Sequence, residues 1–473
     1  MVKQSQVRPG LLLAVLSVAS FMAGLDLFIV NVAFDDIGRD FAGTFLADLS
    51  WVLNGYAIVF AALLVPLGRL ADRYGRKAGL VLGLTVFTLA SQACAAAPSL
   101  WWLVAFRVVQ AAGAAALIPT SLGLLLSVYP PGRRAGAVRI WSAASALAAA
   151  AGPAVGGVLV DSSWRWVFEV NVPIGLLATV LALRFVPDSR DGAAARVPDL
   201  PGTAVLTGAV ALLALGLVKI NDWPQQRVAI AVGVALLALA GFWIRSRRHP
   251  APVIEPALLA VRTFAWSNAA VLLFTVAFAA NLLLGVLWMQ QVWHYSPVRT
   301  GLGVAPGPLM VPAMALLAGR MAARRVPVGL ITAVGCMLCA FGVVMVATGL
   351  GAAPAYASEL LPGWLVGGVG VGLALPTILS AAAADLPDHR FATGSAVVNM
   401  SRQIGSVLGV SLAVAVLGTH HAYVDAHRAY VHAWLMVGAF MVIAAIAALG
   451  MTPRHRRPVA PVPDSEKEVV AGA

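Results

Sequence analysis

The sequence predicts an all-α integral membrane protein of fourteen spanning helices, and three observations predict it. The first is composition: of 473 residues 60% are hydrophobic and 11% charged, with a mean hydropathy of +0.88. Soluble domains average about 45–50% apolar and about 25% charged, so no water-soluble fold of this length could bury so much apolar surface and the solvent is lipid. The second is a series of apolar runs of spanning length. The third is where the basic residues fall between those runs.

A span needs ~20 mainly apolar residues at a rise of 1.5 Å each. Such runs occur near 11–33, 50–70, 79–97, 101–126, 137–160, 166–186, 202–220 and 227–244. They continue near 266–292, 300–319, 327–348, 362–384, 393–418 and 432–450. The first follows MVKQSQVRPG and resembles a signal peptide. Its apolar character continues to Ala33 without a clean cleavage site, so it reads as a span. Twenty-four of the 32 Lys and Arg lie in the even-numbered connections and the two end segments. Six (Arg39, Arg165, Lys219, Arg227, Arg299 and Arg428) lie in the odd-numbered connections, and Arg107 and Arg402 fall within spans. One span added or lost mid-chain would erase that asymmetry, so both termini are expected in the cytoplasm. The Pro- and charge-rich tail from Thr452 is expected to be disordered.

The net charge of +12 does not point to nucleic acid, because the basic residues form short clusters between apolar runs rather than a continuous face with interleaved aromatics. Cys336 and Cys339 make a C-x-x-C inside the apolar run from Ile331 to Met345, where they read as small packing residues rather than a redox or zinc pair. No phosphate-binding Gly-rich loop is present, which argues against ATP-driven pumping. The connection after span two reads Gly68-Arg-Leu-Ala-Asp-Arg-Tyr-Gly-Arg-Lys77, and that after span ten reads Gly319-Arg-Met-Ala-Ala-Arg-Arg325. With spans seven and eight as an insertion, the two loops occupy the same place in two six-helix halves, the usual build of secondary transporters.

Several stretches carry a family resemblance. Gly68 to Lys77 matches G-x-L-A-D-R-x-G-R-K. Leu103, Arg107, Gln110 and Gly113 are similar to L-x-x-x-R-x-x-Q-G-x-G, with Ala111 replacing a Gly. Gly152-Pro153-Ala-Val-Gly156-Gly157 is similar to G-x-x-x-G-P-x-x-G-G, with Ala148 at the first Gly. Leu25 to Ala33 resembles L-D-x-T-V-V-N-V-A, with Phe28 in place of Thr and Asp35 where Pro is usual. Trp164 to Gly175 resembles W-R-W-I-F-x-I-N-x-P-x-G, and Ala392 to Gln403 resembles a signature near the start of span thirteen. Together these resemble the major facilitator superfamily, and within it the fourteen-helix drug–proton antiporters.

The resemblance implies a major facilitator fold: a cytoplasmic N-terminus (1–10), a six-helix half (11–186), two inserted helices with linkers (187–265), a second half (266–450) and a tail (451–473). It implies that Gly68, Asp72, Arg73, Gly75 and Arg76 gate the rocking of the halves, that Arg107 takes part in proton coupling, and that Gly152, Pro153, Gly156 and Gly157 mark efflux rather than uptake. The expected function is a proton-coupled exporter of drugs, antibiotics or related metabolites in a bacterial plasma membrane. It is not expected to be an enzyme, and needs no cofactor beyond the proton gradient. A narrow-specificity metabolite exporter and a proton-coupled uptake carrier are the alternatives; a membrane-embedded enzyme or flippase is a remoter one. Oligomeric state is unreadable, and a monomer is compatible with the sequence.

Among the residues themselves, Asp26 is the one carboxylate deep in a span, ~10 Å from the outer end of span one. Arg107 lies at nearly the same depth in span four. At one level in low dielectric the two attract strongly, and an intramembrane charge is functional by default. Either protonation of Asp26 loosens the pair and couples proton entry to a conformational change, or the pair is a static salt bridge; its place in the outer half favours coupling. Asn399, Arg402 and Gln403 share a helix face and either line the central cavity or form a packing face. Asn31 and Gln110 are further cavity candidates. Glu169 either attracts cationic substrates or is a solvated interfacial acid. Trp288, Gln290, Gln291 and His294 are candidates for an outer vestibule, while His420, His421 and His427 form a metal site or a solvated loop; no metal is assigned. The single deep Asp favours cationic or neutral cargo over dianions.

Overall fold

A computed structural model describes residues 9–41, 43–190, 198–387, 390–418 and 423–452. The expected disordered tail from residue 453 on and the first eight residues lie outside these, as do His420 and His421. All regular structure among the described residues is helical, because in hydrocarbon a helix satisfies every N–H and C=O within its own segment.

Among the described residues, fourteen helices are long and apolar enough to cross a membrane. The first six are α1 (Pro9–Asp40), α2 (Leu46–Tyr74), α3 (Arg76–Ala95), α4 (Leu100–Val128), α5 (Gly132–Ser162) and α6 (Trp166–Phe185). Two more follow, α7 (Leu200–Val218) and α8 (Gln225–Arg248). The last six are α9 (Arg262–Val292), α10 (Pro297–Ala323), α11 (Val328–Gly349), α12 (Tyr356–Ala384), α13 (Thr393–Leu417) and α14 (His427–Leu449).

Local chemistry sets several ends. Gly75, at φ 132°, turns the chain between α2 and α3, a conformation that L side chains rarely adopt. Asp199 caps α7 by accepting from the Gly202 amide at 2.9 Å, and Ser296 caps α10 by accepting from the Arg299 amide. Pro306 interrupts α10 after Val304, so the expected single span there is two helical segments, Pro297–Val304 and Pro306–Ala323. The run expected to end at Ala33 continues as helix to Asp40, where Arg39 pairs with Asp35 and Asp36 one turn back. The last residues of α9, Trp288–Val292, form a π-turn.

Helices α1–α6 pack on one another and α9–α14 likewise, while α7 and α8 form a hairpin whose α7 rests on both α2 and α13. The contacts are made by small residues. A Cβ on Gly113 of α4 would lie 2.6 Å from the Phe87 amide nitrogen of α3, a backbone approach that only glycine allows. Large apolar side chains instead point outward: Leu237 is 73% exposed and Leu316 68%, as a lipid-facing belt requires. The Gly68–Lys77 stretch, expected as a loop, is helical except at Gly75 and lies with the other basic connections at one end, called here the basic end; α5 meets the start of α10 at the other.

Candidate functional site

The deepest polar group of the first helical set gathers around Asp26. Asp26 and Arg107 are 0% and 1% exposed, and Arg107 Nη1 donates to Asp26 Oδ2 at 2.5 Å. Gln110, one turn along α4, closes the triangle: its Oε1 accepts from the same Nη1 at 2.7 Å, and its Nε2 donates to Asp26 Oδ1 at 2.9 Å. The guanidinium also donates to the Val52 carbonyl at 3.2 Å and lies 4.0 Å from the centroid of the Tyr56 ring, a cation–π contact. Ser91 of α3 extends the network. It accepts from Gln110 Nε2 at 3.1 Å and Asn171 Nδ2 at 3.2 Å, and donates to the Phe168 carbonyl at 2.9 Å. Five helices therefore contribute to one network built around this carboxylate. A lone Arg at mid-membrane costs roughly 2.5–3.5 kcal/mol on insertion scales, and this network is what offsets that here.

On α1 the same segment meets α5. A Cβ on Gly152 would lie 2.8 Å from Phe28 Cβ, and one on Gly156 3.0 Å from the Ile29 carbonyl. Gly157, on the neighbouring face, would clash at 2.5 Å with the Pro297 carbonyl of α10. The Gly-Pro-x-x-Gly-Gly string is thus a seam between α1, two residues past Asp26, and the second helical set. Gln290 Nε2 donating to the Val32 carbonyl at 2.9 Å and Gln291 Nε2 donating to Asp35 at 3.1 Å tie α9 to α1 at this end. Asn54 of α2 donates to Ser411 of α13 at 3.1 Å.

The basic end is hollow. A cavity of about 410 Å³ lies between the two sets, lined by Arg69, Asp72, Arg134, Trp141, Ser395 and Asn399 among others. At its rim Asp72 accepts from Arg76 at 2.6 Å, and Gly68 packs against Pro119. Arg69 donates to Glu255 at 2.9 Å in the segment before α9, and Arg390, at the start of the second set's α13, approaches the same carboxylate at 3.9 Å.

The model of the Major Facilitator Superfamily matches residues 16–410. The chain belongs to the Major Facilitator Superfamily. It is 32% identical over 464 residues to a methylenomycin A resistance protein of Streptomyces coelicolor, covering 95% of this chain and 94% of that one. A puromycin resistance protein of Streptomyces alboniger is 33% identical, with 88% and 83% covered. A multidrug resistance protein B homolog of Mycobacterium tuberculosis is 31% identical, with 83% and 73% covered. Among solved structures, a peptide transporter POT in complex with sulfate superposes with a TM-score of 0.68 at 15% identity, over 93% of this chain and 94% of that one. The xylose transporter XylE from E. coli in a partially occluded inward open conformation gives 0.66 at 12% identity, over 95% and 99%. The protein is a multi-pass membrane transporter of this superfamily, with fourteen spans.

Within that fold the residues singled out from sequence fall into three places. Asp26, Arg107 and Gln110 form the buried triangle, so Gln110 lies in the ion cluster rather than on the cavity wall. Asn399 lines the cavity; Arg402, one turn further along α13, is partly exposed and donates to Asn399 at 3.1 Å. Gln403 is buried beside them. Asn31 is 7% exposed and donates back to the Leu27 carbonyl of its own helix, and Glu169 ends the first turn of α6, partly exposed. Neither touches the cavity. Arg73 lies over Tyr74 at the rim. His427 contacts the Leu350 carbonyl. The residues that sequence reasoning missed are Ser91, Asn171, Tyr56 and Glu255. Asn171 sits inside a recognised motif, which was its only signal.

Proposed function

We propose that this transporter is a proton-coupled exporter of small organic molecules, of the drug, antibiotic or related metabolite kind, in a bacterial plasma membrane. The names of its relatives support the cargo class. The distribution of Lys and Arg supports a cytoplasmic basic end, so that the cavity is the loading side. The observation that carries the coupling is the short path from Asp26 to the seam: one turn of α1 holds both the carboxylate and the Phe28 and Ile29 faces that receive Gly152 and Gly156.

In the state closed at the outer end, ionised Asp26 holds Arg107 and Gln110 and fixes α1 against α4. When the outer end opens, a proton reaches Asp26 and removes its charge; the attraction to Arg107 falls, and α1 is free to shift against α5. Releasing the proton to the cytoplasm restores the closed seam. A proton thus changes the relative stability of two packings, which is what coupling requires. No cofactor enters: the gradient supplies the energy, and the chain acts as a carrier rather than an enzyme, with a monomer sufficient for the cycle.

Expression in a bacterium stripped of its own exporters tests this reading. The transporter raises the inhibitory concentration of at least one member of an antibiotic panel, and Asp26→Asn, expressed at the same level, does not. Full resistance from Asp26→Asn would refute the assigned role of the carboxylate.

A further inference from the structure

Four arginines lie on the wall of the cavity, and one turn beyond it stands a deep cation without a described counter-ion. Of the four, Arg76 is paired with Asp72, Arg69 with Glu255 and Arg190 with Asp188, which leaves Arg134 without a described acid partner. Ser395, Asn399 and Arg402 stand at i, i+4 and i+7 on α13, so Arg402 continues the lining stripe inward, to the middle of the helix. Its only hydrogen bond among the described residues is to Asn399, and no described carboxylate lies within ion-pair distance of it. Asp26, the acid that would attract a cation, is 0% exposed and committed to Arg107 and Gln110. The negative charge of the membrane interior is therefore spent internally, while a partly exposed positive charge stands one helical turn beyond the cavity wall.

We propose that Arg402 is the anchor of the cargo site and that the preferred cargo carries an anionic group, a carboxylate or an acidic phenol, on an otherwise apolar body. This rests on the export reading for the word cargo, and departs from the expectation of cationic or neutral cargo drawn from the lone Asp in the sequence. An anionic group donates nothing and accepts from the guanidinium, with Asn399 holding the fork in place; an uncharged or cationic analogue leaves Arg402 without its partner.

Binding is measured by fluorescence anisotropy on the full chain in phosphatidylcholine nanodiscs, with two dyes of one ring system, anionic fluorescein and cationic rhodamine 6G. Fluorescein binds more tightly. Arg402→Gln weakens it about 10- to 100-fold, the equivalent of one charge-assisted hydrogen bond, without weakening rhodamine 6G; Arg402→Lys restores part of the loss. Asn399→Asp, which sets a carboxylate beside the guanidinium and gives up the amide's bond to the Ser395 carbonyl, gives the same selective loss. Tighter binding of rhodamine 6G, equal weakening of both dyes, or binding of neither would overturn the proposal. Displacement of fluorescein by added phosphatidylglycerol would reassign the site to a lipid headgroup and overturn it too. Selective anion binding without gradient-driven transport of the same dye in proteoliposomes would leave the site standing and remove the export reading instead.

Discussion

At the scale of single residues, the Asp26–Arg107 pair was legible because charges inside apolar runs are rare and two at one depth are rarer. The structure adds what spacing cannot supply. Ser91, Tyr56 and Asn171 complete the network, and small polar side chains in apolar helices leave no periodic signature. Removing one partner from a fully buried pair strands the other. Arg107→Ala is expected to lower the stability of the purified protein by about 3–5 kcal/mol. Thermal unfolding in detergent checks this; an unchanged unfolding temperature would mean that Asp26 finds another cation. Gly75→Ala, at φ 132° with Asp188 Oδ1 3.1 Å from the new methyl, is expected to cost about 1–3 kcal/mol and to slow transport.

Among helices, the spans were readable from length and hydropathy, but their ends were not. The continuation of α1 to Asp40 rests on Asp35, Asp36 and Arg39 pairing with each other, and a hydropathy scan sees only charges there. Likewise the Gly-Pro-x-x-Gly-Gly string is readable as a close-packing face, yet nothing in it says that Gly152 and Gly156 meet α1 while Gly157 meets α10. Gly157→Val fills that seam and is expected to hold the outer end open. A cysteine placed at position 298 would then react faster with a membrane-impermeant maleimide added from outside, while dye transport falls. Unchanged labelling would show that the seam tolerates the side chain by sliding.

Across the whole molecule, the α7–α8 hairpin straddles both helical sets. At the end opposite the basic one Lys219 pairs with Asp48 of α2 at 2.8 Å, and Asn221 donates to the Ala415 carbonyl of α13 at 2.7 Å. At the basic end Arg245 donates to the Asp199 carboxylate at 2.8 Å. Burial opposes the charge on Asp199, but this bond and the Gly202 amide win and hold its pKa below the usual value. Glu255, in the segment that follows the hairpin, joins Arg69 to Arg390. The residue pattern marked these two helices as an insertion but gave no hint of a strap, since Glu255 sits in a polar connection like any other. Glu255→Gln weakens the only described carboxylate bridge between the sets at this end, and is expected to raise the transport rate several-fold or uncouple it, by lowering the barrier to rocking. An unaltered rate would relegate Glu255 to an ordinary surface pair, worth about 0–1 kcal/mol.

The central claim is that a proton on Asp26 drives export, and everted membrane vesicles test it most directly. With an acid-inside gradient imposed on vesicles containing the protein, the account predicts uptake of a fluorescent cargo that collapses on adding an uncoupler and is absent in Asp26→Asn. The variant should still bind that cargo, though it is expected to unfold at a lower temperature than the parent because Arg107 keeps its charge without a counter-ion. Gradient-driven uptake by Asp26→Asn at the parental rate would contradict the account and place the coupling proton elsewhere in the molecule.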